Sequence, residues 1–216
     1  MKIDAIGLSE AEQDALAEIA NIGVARAATS LRQLVGDQVL LSVPAVNIVT
    51  RLAASRLVED GGVSKLVAVQ QSFSGPFSGK ALLIFPAAHS LELVRAIVGY
   101  SHSLEDVIDL EQEALAETGN IILNACLATI ANILRQTMRM TLPSVVRGDG
   151  AALFEIEEDS VADKLVLFLY IDFTIKNHDI RGFIALLMDL PAIALLKHIV
   201  GNFINSLGEQ RTTHVR

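Results

Sequence analysis

The stretch Asp14-Ala-Leu-Ala-Glu18-Ile-Ala-Asn21 has a near copy in Glu113-Ala-Leu-Ala-Glu117-Thr-Gly-Asn120. Each Asn is followed, after 22 intervening residues, by a proline, Pro44 in the first copy and Pro143 in the second, and every matched position is offset by 99. One Glu-x-x-Asn on a helix is a weak signal, because solvated helix faces are rich in such residues. Two copies with the same distant proline mark a duplicated unit whose halves present a carboxylate and a carboxamide in the same way.

Residues three and four apart sit side by side on a helix. Asp14, Glu18, Asn21 and Ala25 therefore share one narrow stripe, opposite a core stripe of Leu16, Ile19, Ala20, Gly23, Ala27, Ser30 and Leu34. Gly23 lets another backbone approach closely. The second helix repeats the arrangement with Glu113, Glu117, Asn120 and Asn124 on one face, and Leu115, Ile122, Cys126, Thr129 and Ile133 on or near the other. Asn is a poor helix former, by roughly 0.5 kcal/mol against Ala, so two mid-helix Asn residues at matched sites imply that the amide is wanted.

Outward from the motif, the first half reads as a long helix over about residues 9–35, started by a Ser9/Glu12 capping box and closed by Gly36. A strand over 38–48 follows, with Pro44 at an edge, bulge or strand end because it cannot donate to a ladder. A short helix over 51–58 ends at Asp60-Gly61-Gly62, strands over 65–74 and 77–85 form a hairpin at Gly75-Pro76, and a helix over 87–98 runs to Gly99. The second half repeats the order: a helix over 110–139, extended segments near Pro143 and over 151–157, strands over 164–175 and 181–188 joined by a turn at Asn177-His178-Asp179, and a helix over 191–200 before a frayed tail from 209. Helices mixed with hairpin-connected strands predict an α+β fold with a pseudo-two-fold internal repeat, a mainly antiparallel sheet and two long, outward-facing motif helices. We expect one domain made of two repeats, about 9–100 and about 104–202.

Composition narrows the partners. Hydrophobic residues make up 51% of the 216-residue chain and charged residues 19%, so much of it must be buried. No uninterrupted apolar run reaches the roughly 18 residues that span a bilayer, and Asp4 stands where a signal peptide carries its apolar stretch, so membrane insertion is not expected and a cytoplasmic location is. A net charge of −8, without clustered Lys and Arg, speaks against nucleic acid. Cys126, the one cysteine, reads as a small core residue. His89, His102, His178, His198 and His214 are scattered and form no metal-ligand pair, and neither a phosphate-binding glycine loop nor a nucleophile elbow occurs.

At the motif the chain resembles the CheC, CheX and FliY phosphatases of bacterial and archaeal chemotaxis, which remove phosphate from the response regulator CheY. Their pattern is Asp or Ser, three residues, Glu, two residues, Asn, then 22 residues and Pro. Asp14, Glu18, Asn21 and Pro44 match it fully, within Glu18-Ile-Ala-Asn-Ile-Gly-Val-Ala-Arg-Ala-Ala-Thr-Ser-Leu31, whereas the second copy matches at Glu117, Asn120 and Pro143 but carries Glu113 where Asp or Ser is usual. Two sites in about 200 residues are most similar to CheC. The resemblance implies catalytic roles for Glu18, Asn21, Glu117 and Asn120: each Asn orients the water that attacks an aspartyl phosphate, and each Glu pairs with the regulator's active-site lysine. Asp14 and Glu113 would support the site, and Pro44 and Pro143 would shape the strand beneath each helix. The expected partner is a phosphorylated CheY-like regulator, which would bring its own Mg²⁺; the chain needs no cofactor of its own. The deamidase CheD is a second partner that the resemblance raises. A noncatalytic module like the middle domain of FliM is the alternative. Of the two sites the first, with its complete motif, is expected to dominate.

Overall fold

Ser9 starts the first helix as the sequence predicts: its hydroxyl accepts from the Glu12 N–H at 3.3 Å while the Glu12 carboxylate accepts from the Ser9 N–H at 2.7 Å. The computed structural model describes residues 7–36, 38–43, 45–59, 65–98, 104–156, 165–175 and 178–213. Pro44, Asp60-Gly61-Gly62, Gly99, His102, Asn177 and His214 lie outside the described residues. The elements run α1 (Glu10–Val35), β1 (Val39–Ser42), β2 (Val46–Thr50), α2 (Arg51–Val58), β3 (Leu66–Ser74), β4 (Gly79–Pro86) and α3 (Ala87–Val98). The same order returns as α4 (Leu104–Ile133), β5 (Arg139–Met140), β6 (Ser144–Gly148), α5 (Gly150–Leu153), β7 (Leu165–Ile175), β8 (His178–Met188) and α6 (Leu190–Thr213). Helices and antiparallel strands are mixed, as expected.

Among the described residues the strands join one eight-stranded sheet of order β1-β7-β8-β4-β3-β5, with β2 also on β7 and β6 also on β3. The hairpins β3–β4 and β7–β8 form the centre and meet through β4 and β8, as in Leu82 opposite Ala185. The edge strands cross over between the halves. β1 and β2 pair with β7 of the second half, and β5 and β6 pair with β3 of the first. Neither half completes its own sheet, so the halves interlock.

Helices cover both faces. On one side α1, α3, α4 and α6 lie on Val67, Val69, Phe73, Leu83, Phe85, Leu165, Leu167, Leu169 and Ile184. On the other the short α2 and α5 cover Leu66, Ala68, Leu82, Ile84, Val166, Phe168, Ala185 and Leu187. This strict alternation is the period-two signature of a sheet buried on both faces, which is why the strands read as nearly continuous apolar runs. Each fully buried large aliphatic or aromatic side chain contributes about 1.5–3 kcal/mol relative to exposure.

At Gly23 a Cβ would lie 2.8 Å from Cys126 Cα and 3.1 Å from Ala125 O, so α1 and α4 meet backbone to backbone there, as the sequence predicts. α4 seats on the sheet through Gly119, where a Cβ would stand 2.4 Å from the Val69 side chain. The core stripe of α1 follows the prediction through Leu16, Ile19, Ala20 and Ala27 but then drifts: Val24 and Leu31 are buried, whereas Ser30 is exposed and Leu34 is 44% exposed. An ideal helix rotates slowly against a fixed apolar stripe over its 26 residues, and the later positions turn away from the sheet.

Other boundaries differ from the sequence reading. The single strand expected over 38–48 is broken between Ser42 and Val46. α4 ends at Ile133 rather than near 139, followed by Arg135 in the left-handed region at φ 55°. The segment expected to be extended over 151–157 instead begins inside a helical turn, Gly150–Leu153, capped by Asp149, whose carboxylate accepts from the Ala152 N–H at 2.8 Å. His178 and Asp179 pair with Ile175 and Thr174 rather than forming a turn, and α6 continues well beyond 200. By length and composition the helical stretch Leu110–Ile133 could cross a membrane, but 61% of its apolar 18-residue window is buried within the fold.

Candidate functional site

The faces of α1 and α4 turned away from the sheet carry Asp14 and Glu18, and Glu113 and Glu117; all four are exposed. Like charges four apart on a helix destabilise it by about 0.2–0.5 kcal/mol per pair. Among the described residues none of the four carboxylates has a hydrogen-bond or ion-pair partner, so each copy holds two negative charges available to a cation from outside. One turn on, Asn21 and Asn120 are both half-buried, at the lip between helix and sheet edge.

The two amides meet different surroundings. Asn21 spans the break between β1 and β2: its Oδ1 accepts from the Val43 N–H at 2.8 Å and its Nδ2 donates to the Val43 carbonyl at 3.1 Å. Val43 is only 1% exposed, and the break leaves its main chain without a strand partner. A buried peptide group needs its hydrogen bonds, and the side-chain amide replaces the missing ladder. The Asn-to-Pro spacing thereby acquires a physical meaning, since Asn21 grips the residue immediately before Pro44. One N–H and one lone pair of the carboxamide stay uncommitted.

In the second copy the break falls between β5 and β6, at Thr141, Leu142 and Pro143. Here Asn120 does not grip the main chain. Its Oδ1 accepts from Gln71 Nε2 at 3.2 Å and from Asn124 Nδ2 at 2.6 Å, and Gln71 Nε2 also donates to the Thr141 carbonyl at 3.0 Å. Thr141 stitches the break to β3, its N–H donating to Ser72 O and its hydroxyl accepting from the Ser72 N–H, both at 3.0 Å. Half-buried Pro143 leads into β6, and Leu142 before it is 89% exposed. A groove of about 470 Å³ continues from Asn124 along α4, between Leu127, Ala131 and Met138.

Gln71, Thr141 and Asn124 are the residues that sequence reasoning missed or set aside. Asn124 lay on the right stripe but had no counterpart in the first helix. Gln71 follows Gln70 in β3, and strand alternation turns one of such a pair inward, a usable signal. Beneath α1 the inward positions of β7, Leu165, Leu167, Leu169 and Ile171, are all apolar. Cys126, beside Gly23, is fully buried, and burial pushes its thiol up to about 12, which makes it inert rather than nucleophilic. Among the described residues no cluster of His, Cys, Asp and Glu could hold a metal ion.

Comparison with known proteins follows the same outline. Residues 12–48 match the CheC-like family, and residues 67–167 match the family Chemotaxis phosphatase CheX. The chain is 22% identical over 204 residues to the flagellar motor switch phosphatase FliY of Bacillus subtilis, covering 92% of this chain and 51% of that protein. It thus spans about half the length of that relative. It is 26% identical over 144 residues to the CheY-P phosphatase CheC of the same organism, covering 64% of this chain and 68% of that one. Among solved structures, Thermotoga maritima FliY superposes with a TM-score of 0.70 at 17% identity, over 91% of this chain and 98% of that one. The FliM middle domain from H. pylori superposes with a TM-score of 0.57 at 11% identity, over 89% of this chain and 99% of that one. The solved structures share this chain's fold of repeated helix-and-sheet architecture. Residues 12–48 and 67–167 thus carry likenesses to the CheC-like and CheX families, and the chain as a whole is similar to CheC and FliY proteins.

Proposed function

We propose that this protein is a phosphatase that hydrolyses the aspartyl phosphate of a CheY-like response regulator. The observation that carries this reading is the repeated surface itself: unpaired, exposed Glu18 and Glu117, each one turn from the half-buried amide of Asn21 or Asn120. An aspartyl phosphate is an activated acyl phosphate, so its hydrolysis calls mainly for a water held in line with the bond to be broken. The water oxygen bonds to phosphorus, the P–O bond to the aspartate breaks with its electron pair on the carboxylate, and the water's proton leaves on the released phosphate. A side-chain amide orients such a water without being a base, as a glutamine does in some GTPases. The glutamates would be repelled by the phosphoryl group itself and instead engage the regulator's lysine, with Asp14 and Glu113 adding to the field. Mg²⁺ would arrive in the regulator's acidic pocket.

In the first copy the amide is shared between the Val43 latch and the reaction; in the second it is free of the main chain. The latch favours a second reading of the first copy alone, as a docking surface without catalysis, like a FliM-type module. The test uses Glu18→Ala and Glu117→Ala, singly and together, because neither carboxylate supports the fold. We expect the double variant to lose the acceleration of acyl-phosphate loss from a phosphorylated receiver while unfolding like the parent. Retention of full activity by the double variant refutes the reading, and unchanged activity in Glu18→Ala alone assigns the first copy to docking.

A further inference from the structure

Gln71 is a polar side chain 1% exposed, pointing from β3 toward α4 among Val67, Val69 and Phe73. Its Oε1 is buried without a hydrogen-bond partner, an arrangement that native proteins avoid unless the rest of the group is needed. What the rest of the group does follows from one fixed point. The Thr141 main-chain carbonyl can only accept, so the atom of Gln71 that faces it at 3.0 Å is the nitrogen. That nitrogen also faces Asn120 at 3.2 Å, so the Asn120 atom there is the oxygen; the same oxygen then requires the nitrogen of Asn124 at 2.6 Å. Amide orientations that are ambiguous in isolation are thus settled in sequence from a main-chain atom.

Both lone pairs of Asn120 Oδ1 are consequently occupied, and among the described residues nothing bonds its Nδ2. We propose that Gln71 is a positioning residue that locks the Asn120 carboxamide with its oxygen inward, so that the second site meets the attacking water purely as a hydrogen-bond donor. This rests on the phosphatase reading. An N–H of Asn120 donates to one lone pair of the water oxygen, and the other lone pair attacks phosphorus; the protons and the leaving carboxylate follow the course given above. Asn21 has no such lock, because its oxygen and nitrogen both face the Val43 main chain.

The experiment reads the second site alone, in a Glu18→Ala background, with a phosphorylated CheY-like receiver as substrate. Gln71→Met keeps length and apolar packing but removes the donor. We expect kcat to fall by about tenfold or more with KM within about twofold, because Glu113 and Glu117 are untouched, and Asn120→Asp, which exchanges the donor for an acceptor, to fall at least as far. If Gln71→Met retains kcat while Asn120→Ala loses it, the positioning role is overturned and the phosphatase reading stands. If Asn120→Ala also retains kcat, both are overturned. Side-chain amide NMR of the unaltered protein gives a check independent of any variant: the Gln71 protons should be protected from exchange and the Asn120 protons should exchange quickly. The reverse pattern overturns the lock.

Discussion

Replacing Asn21 by alanine measures how much its carboxamide contributes to holding the fold. The substitution removes hydrogen bonds of 2.8 and 3.1 Å and leaves both main-chain groups of Val43, itself 1% exposed, without partners. A net hydrogen bond contributes about 0.5–1.5 kcal/mol and an orphaned buried group costs about 1–3 kcal/mol, so the loss comes to about 2–3 kcal/mol. Alanine returns roughly 0.5 kcal/mol of helix propensity, which leaves about 2 kcal/mol. For a domain of this size that corresponds to a fall in Tm of about 4–8 °C. Asn120→Ala should destabilise by less than about 1 kcal/mol, because Gln71 keeps its bond to Thr141 and Asn124 is partly solvated. Urea unfolding of the two variants side by side measures the difference. The latch is refuted if Asn21→Ala stays within about 0.5 kcal/mol of the parent, or is no more destabilised than Asn120→Ala.

Gly23→Ala would press a methyl group to 2.8 Å from Cys126 Cα. Main chain cannot swing aside as a side chain does, so despite the better helix propensity we expect a net loss of about 1–2 kcal/mol by denaturant titration. The Cys126 thiol, pushed up to about 12 by burial, should resist a thiol reagent at pH 8 in native protein and react at once in denaturant; rapid native labelling would contradict the close α1–α4 contact. Glu155 is held below the usual carboxylate range by its hydrogen bond to Lys80, together with the charges of Lys80 and Arg51. Its folded value lies below its unfolded one, so its contribution is present at neutral pH and lost as pH falls through the folded value. Stability curves of the parent and Glu155→Gln should therefore converge in acid; a gap that does not narrow would show that the carboxylate's charge is not what matters.

Local signals carried much of the fold. The Ser9/Glu12 box, Gly36 in the left-handed conformation at φ 71° and the close approach at Gly23 are written in neighbouring residues, and the structure contains them. The α+β class followed from helix and hairpin patterns alone. What escaped depends on contacts far apart in sequence. The break at Val43 needs Asn21 from another element, so residues 38–48 look like one strand until the latch is seen. The drift from Ser30 and Leu34 to Val24 and Leu31 reflects where the sheet lies beneath α1, which periodicity does not encode. Exchange of edge strands between the halves is equally silent, since a strand's pattern says which face it buries and not whose neighbour it becomes. At the site, the stripes and their exposed carboxylates were legible; Gln71 was not, because it enters Asn120's surroundings from β3, 49 residues away.

The most direct test of the central claim is turnover. A CheY-like receiver phosphorylated on its aspartate, in large excess over this protein, should lose its acyl phosphate through many cycles per molecule, and the gain should vanish when Glu18→Ala is combined with Asn120→Ala in a chain that still folds. Decay at the receiver's own rate with the unaltered protein present, or at an undiminished accelerated rate with the variant, would contradict it.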